Sequence, residues 1–127
     1  NKDGRHSYCR PCQSAHYYAN ARRHGENVRR TSAARMKRIR QIVVEALRGG
    51  CVDCGNKDIR VLEFDHVRGP KIGNVSSIIR RGWSEKVIVA EIAKCEVRCR
   101  NCHAIATLSR LKRTWHDAYL DGPPGGI

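Results

Sequence analysis

Cys51-Val52-Asp53-Cys54-Gly55 is answered, with 44 residues between Cys54 and Cys99, by Cys99-Arg100-Asn101-Cys102-His103, and between them stands Leu62-Glu63-Phe64-Asp65-His66-Val67. These three stretches decide how the chain is read. Cysteines two residues apart seldom bridge each other in a structural role, but two such pairs can chelate one tetrahedral metal ion. Four thiolates around Zn²⁺ at about 2.3 Å close the coordination sphere, so Cys51, Cys54, Cys99 and Cys102 predict a structural zinc site with no open position. The spacing exceeds that of an ordinary zinc ribbon, so the intervening segment must loop out and return. The competing reading is four reduced, buried cysteines without metal. Cys95 is read as a buried strand residue.

Outward from this staple, the pattern predicts a small α+β fold. Upstream, Met36, Ile39, Val43 and Leu47 follow the spacing of one buried helix face, which predicts an amphipathic helix from Thr31 or Ser32 to about Arg48. Gly49-Gly50 ends it. Ile59 to Val67 reads as a strand ending at Asp65-His66. Residues 68–83 read as a long loop with one helical turn from Val75 to Arg81. Ser84 is placed to cap a helix from Glu85 to about Lys94. Cys95 to Arg98 suits a short strand pairing with the first. The second cysteine knuckle then opens a helix predicted through Leu111 to about Tyr119.

Charge divides the chain differently. The 127 residues carry 25 Lys and Arg against 12 Asp and Glu, a formal net charge of +13. Residues 1–48 hold 12 of the basic and 3 of the acidic side chains. A polyanionic partner follows, nucleic acid before a membrane surface. The expected organisation is a basic N-terminal segment over 1–31, a domain over 32–120 and a tail over 121–127. The bland alternative for the first segment is a solvated tail. Its Cys9 and Cys12 form a third C-x2-C pair, which His6 or His16 would have to complete for metal binding. The apolar runs fall far below the ~20 residues that span a bilayer. Seven cysteines, an odd number, in so basic a chain argue for a reducing compartment over a disulfide scaffold.

Asp65, His66 and His103 carry the chemistry. Neighbouring strand residues face opposite sides, so Asp65 and His66 cannot do the same job. A carboxylate and an imidazole suit one divalent ion, and a second imidazole is a candidate general base near neutral pH. Taken alone, an Asp-His pair and a histidine at a helix start are ordinary surface features.

In this order, Cys51-x2-Cys54, Leu62 to Val67 and Cys99-x2-Cys102-His103 resemble the zinc-bearing HNH endonucleases of phage and bacteria, over roughly residues 33–113. The resemblance implies a ββα-metal (His-Me finger) core and a metal-dependent nuclease leaving 3′-hydroxyl and 5′-phosphate ends. It implies His66 as general base, with Asp65 and His103 as ligands of a catalytic Mg²⁺ or Mn²⁺. It also implies double-stranded DNA as partner, no small-molecule cofactor, and the cytoplasm of a bacterial cell as location. One departure stands out. The family's central Asn, which fixes the catalytic loop and orients the base, falls on Lys94, and Asn74 is the nearest substitute. Thr107, one turn after His103, replaces a further ligand sometimes found there. Residues 2–12 resemble the second half of a small zinc ribbon. Arg98, Arg100, Arg110 and Arg113 are the candidate phosphate contacts. The alternative function is a non-catalytic, zinc-stabilised nucleic-acid-binding protein, which has no need of Asp65-His66 beside His103. A third reading is an inactive remnant of the nuclease family, for which Lys94 is the best argument.

Overall fold

The computed structural model describes residues 9–111 and 114–120. In order they form α1 (Arg10–Leu47), β1 (Leu62–His66), α2 (Val75–Arg80), α3 (Glu85–Ile92), β2 (Cys95–Cys99), α4 (Arg100–Arg110) and α5 (Asp117–Leu120). The chain is a small α+β fold built on a two-stranded antiparallel sheet. Its contacts divide it into two units, Asn1–Arg40 and Gln41–Ile127.

The first unit is essentially helix. α1 was expected from Thr31 or Ser32 but begins at Arg10. Its early turns carry no apolar stripe, so periodicity missed them. Ala, Arg and Gln sustain the helix by backbone propensity, and local side-chain bonds accompany it. Arg22 Nε donates to Glu26 at 3.1 Å, Asn20 to the His16 carbonyl at 2.8 Å, and Thr31 Oγ1 to the Asn27 carbonyl at 2.9 Å. The predicted stripe holds further along, with Ile39 and Leu47 buried and Met36 and Val43 half-buried.

In the second unit, α1 ends on Gly50, whose φ of +80° only glycine adopts at no cost. A Cβ there would also lie 2.8 Å from the Asn56 carbonyl oxygen. β1 and β2 pair antiparallel, Leu62 opposite Cys99 and His66 opposite Cys95. Leu47, Cys51, Leu62 and Cys99 form the core beneath the first knuckle, packed by Val43, Val61, Phe64, Val97 and Cys102. α2 packs on α3, burying Val75, Ile78 and Ile88. The Ser84 cap is present, its Oγ accepting from Val87 N–H.

The helix predicted through to Tyr119 instead stops at Arg110. Leu111 turns extended, and α5 is a separate turn whose Asp117 carboxylate accepts from Thr114 N–H at 2.6 Å. Among the described residues, no helix is long and apolar enough to cross a membrane. Arg113, His6 and the tail over 121–127 lie outside the described residues.

Candidate metal centres on a two-stranded ribbon

The two knuckles converge. The sulfurs of Cys51, Cys54, Cys99 and Cys102 all lie within 4.8 Å of one another. Cys54 Sγ and Cys99 Sγ are 3.7 Å apart, against about 3.8 Å for the edge of a tetrahedron with 2.3 Å bonds. Backbone geometry builds the pocket: Gly55 N–H donates to the Cys51 carbonyl, Val52 N–H to the Val97 carbonyl, and Cys99 Sγ accepts from Cys102 N–H as the cap of α4. Burial raises the Cys51 thiol, but N–H groups of Cys54, Cys99 and Asp53 outweigh it and bring it down to about 6. Hydrogen bonding to its neighbours, Cys99 first, pushes the Cys102 thiol up. A cation is what would let all four ionise together. Among the described residues these four are the one set of three or more His, Cys, Asp or Glu donors close enough to hold an ion. Cys9 and Cys12 are exposed and free at the start of α1, and His16 does not complete a site with them.

Strand alternation sorts the remaining candidates onto two faces of the ribbon. Glu63 and Asp65 face α4. His103 Nδ1 lies 2.8 Å from Glu63 Oε2, and its Nε2 lies 3.4 Å from Asp65 Oδ1. A carboxylate on one ring nitrogen fixes the tautomer and leaves the other nitrogen's lone pair for a ligand. Here that lone pair, on Nε2, faces Asp65. Two ligands at right angles around an ion with about 2.1 Å bonds are about 3.0 Å apart, so Asp65 Oδ1 and His103 Nε2 suit one small divalent ion.

The same carboxylate is also held by arginine. Arg98 donates to Asp65 Oδ2 at 2.6 Å, and Arg110 grips both oxygens at 2.9 and 2.6 Å. Arg110, then Arg98, overcome the cost of burial and hold the Asp65 carboxyl down to about 2. Arg98 additionally bonds Asp53 at 2.8 Å and Glu96 at 2.9 Å. It therefore fixes Asp65 within the protein, and is not the open phosphate contact expected of it. Arg110 is half-exposed on Asp65, and Arg100 is exposed with Glu63 at 3.2 Å.

His66 faces the other way. Its Nε2 is 2.8 Å from Glu91 Oε1, on α3. The structure thus brings Asp65 to His103 but leaves His66 apart from them. Nδ1 of His66 has no hydrogen-bond partner among the described residues, and the side chain is mostly buried, 12% exposed. Among the described residues no hydrogen bond joins Asn74 to His66. Asn74 lines, with Glu63, Phe64, Val75, Ser76 and His103, a cleft of about 340 Å³.

Glu63 and Glu91 are the side chains that sequence reasoning passed over. Glu63 was findable, standing two residues before Asp65 and hence on the same strand face. Glu91 was findable too, as a charge one turn after Ile88 on the buried face of α3. Compared with protein-family models, with curated proteins and with solved structures, the chain finds no match.

Proposed function

We propose that the chain is a metal-dependent endonuclease of the HNH kind, acting on duplex DNA. The observation that carries the proposal is the pairing of Asp65 Oδ1 with His103 Nε2 at 3.4 Å, with Glu63 on the other nitrogen of the same ring. The order β1, β2, α4, with the four-cysteine set at the β2–α4 junction, supports a ββα-metal core. Zn²⁺ is the proposed occupant of the cysteines and Mg²⁺ or Mn²⁺ that of Asp65 and His103. When bound there, such an ion supplies stabilisation of charge on the phosphate and the leaving 3′-oxygen. His66 Nδ1 takes the proton of the attacking water. Asp65 and His66 project to opposite sides of the ribbon. A phosphate served by both therefore lies across the end of β1, where His66 is the terminal residue.

Glu63→Gln keeps the size of the side chain and weakens its hold on His103. It should raise the Mg²⁺ or Mn²⁺ concentration for half-maximal plasmid nicking about 10- to 100-fold, with the saturated rate less affected. An unchanged metal requirement would remove Asp65 and His103 as the ion's ligands.

The basic helix supplies the attraction to DNA. On α1, Arg22, Arg23, Arg29, Arg30, Lys37 and Arg40 are exposed and fall within about 120° of the circumference, over about 27 Å of its length. Glu26 lies in the same band, paired with Arg22 in an exposed contact that adds little. Replacing Arg23, Arg29, Arg30 and Lys37 by Gln should flatten the slope of log K against log salt by up to about 3 to 4 units. An unchanged slope would mean the stripe does not meet phosphates.

The second reading is a non-catalytic zinc protein that binds nucleic acid. The specific observation in its favour is the arginine grip on Asp65, which makes that carboxylate the centre of an ion-pair network.

A further inference from the structure

Glu91 has its side chain fully buried, on a helix of only eight residues. Burial of a carboxylate is costly unless every lone pair finds a donor. Here three donors converge. Oε1 accepts from Ile72 N–H at 3.0 Å and lies 2.8 Å from His66 Nε2, while Oε2 accepts from Lys94 Nζ at 2.8 Å. Burial alone would raise this carboxyl, yet Lys94, the Ile72 N–H and His66 together bring it down to about 2. Three donors on one carboxylate favour the anion. An anion facing a neutral imidazole nitrogen requires the proton to sit on that nitrogen, and so it selects the Nε2–H form of His66.

Lys94 does more than neutralise Glu91. Its ammonium also donates to the Pro70 carbonyl at 2.8 Å, and its own carbonyl accepts from Val67 N–H at 3.0 Å and Arg68 N–H at 3.1 Å. Arg68 adds bonds to the Ala93 and Cys95 carbonyls at 3.3 and 3.0 Å. The segment leaving β1 is thus clipped to the end of α3 at both its start and its middle. His66 is the residue at which that segment begins.

We propose that Glu91 and Lys94 are positioning residues, an ion pair on a buried carboxylate that fixes His66 with its proton on Nε2 and its Nδ1 bare, and that holds the loop over 67–72 in place. This rests on the nuclease reading only for its catalytic consequence. The pair takes over, by a carboxylate and an ammonium, the two tasks for which an amide side chain was expected at position 94.

The test is the nitrogen-15 spectrum of the His66 ring in the zinc-loaded full chain. It is recorded at about pH 8.5, two units above the ordinary imidazole value, and assigned by loss of the signals in His66→Ala. Wild type should show a single form, with Nε2 carrying hydrogen and Nδ1 bare. Glu91→Gln keeps the shape but cannot accept from Lys94, Ile72 and His66 at once, and should give a mixture of the two forms. Lys94→Gln leaves the carboxylate on Nε2 and should keep the Nε2–H form, but it frees the Pro70 carbonyl and Glu91 Oε2; it tests the loop-holding role if Glu91→Gln does not fold. In both variants the Ile72 amide should exchange with solvent faster. With supercoiled plasmid, kcat should fall about tenfold or more while KM stays put. A wild-type ring that averages between forms or carries its proton on Nδ1, a ring unchanged in Glu91→Gln, or an Ile72 amide whose exchange is unchanged in Lys94→Gln, overturns the proposal. No nicking by wild type, with the ring fixed as described, sinks the nuclease reading and leaves this one standing.

Discussion

Removal of the cysteine-bound metal is expected to unfold the second unit outright. Wild type should carry one zinc per chain by elemental analysis. A strong chelator, or Cys51→Ser, should abolish the cooperative thermal transition of residues 41–127. The size of the effect follows from what else holds this unit together. Its sheet has two strands, and two of the four core residues beneath the first knuckle, Cys51 and Cys99, belong to the set that could hold the ion. Structural zinc in small domains contributes roughly 10–16 kcal/mol of apparent binding free energy, comparable with or above the whole stability of a domain this size. Cys95→Ser should leave the zinc content unchanged. Cys95 Sγ donates to the Glu91 carbonyl at 3.3 Å, and burial raises its thiol, as suits a neutral strand residue. Folded protein with no zinc, or loss of zinc on Cys95→Ser, would contradict this assignment.

The second large effect is expected at His66. His66→Ala should lower kcat for DNA cleavage about 10²- to 10⁴-fold, the usual contribution of a positioned base. The Kd for duplex DNA should change little, because the exposed arginines of α1 and the Arg100 side chain are untouched. The fold should survive as well. Glu91 keeps Lys94 and the Ile72 N–H after the ring is gone, so no buried charge is left unpaired. The loss should therefore appear in kcat with KM preserved, which is the pattern of an interaction made in the transition state. Cleavage by His66→Ala at the wild-type rate would assign the base elsewhere.

How much of this was legible in the sequence differs from element to element. The four cysteines announced their own convergence, because two C-x2-C pairs on either side of a strand pair have the spacing of one tetrahedral site. β1 and β2 were placed to within a few residues and expected to pair, and the structure makes that pairing antiparallel. The helix after Ser84 was legible through its cap. The first half of α1 was not, since a helix that is polar all round has no apolar period to detect. The end of α4 was missed because Leu111 and Trp115 continue a plausible apolar spacing, although the backbone breaks at Leu111.

At the candidate site, residue types were readable but partners were not. Alternation separated Asp65 from His66, and the structure keeps them on opposite faces. Which carboxylate each histidine meets depends on tertiary packing, Glu63 across to α4 and Glu91 across from α3. Lys94 read as a lost amide. In the structure it is a donor to both Glu91 and Pro70. Arg98 read as a phosphate ligand from its position beside the knuckle. Three carboxylates around it could be found only once the strands were paired.

The central claim is that this zinc-stapled ribbon cuts DNA with a divalent ion held by Asp65 and His103. It is tested most directly by incubating supercoiled plasmid with the folded, zinc-loaded chain in Mg²⁺, in Mn²⁺ and in EDTA at a concentration that leaves the cysteine-bound zinc in place. Conversion to open-circular or linear DNA in Mg²⁺ or Mn²⁺, absent in EDTA and absent with His66→Ala, is the predicted result. A folded chain that binds the plasmid and leaves it supercoiled in every metal would contradict the claim and identify a nucleic-acid-binding protein instead.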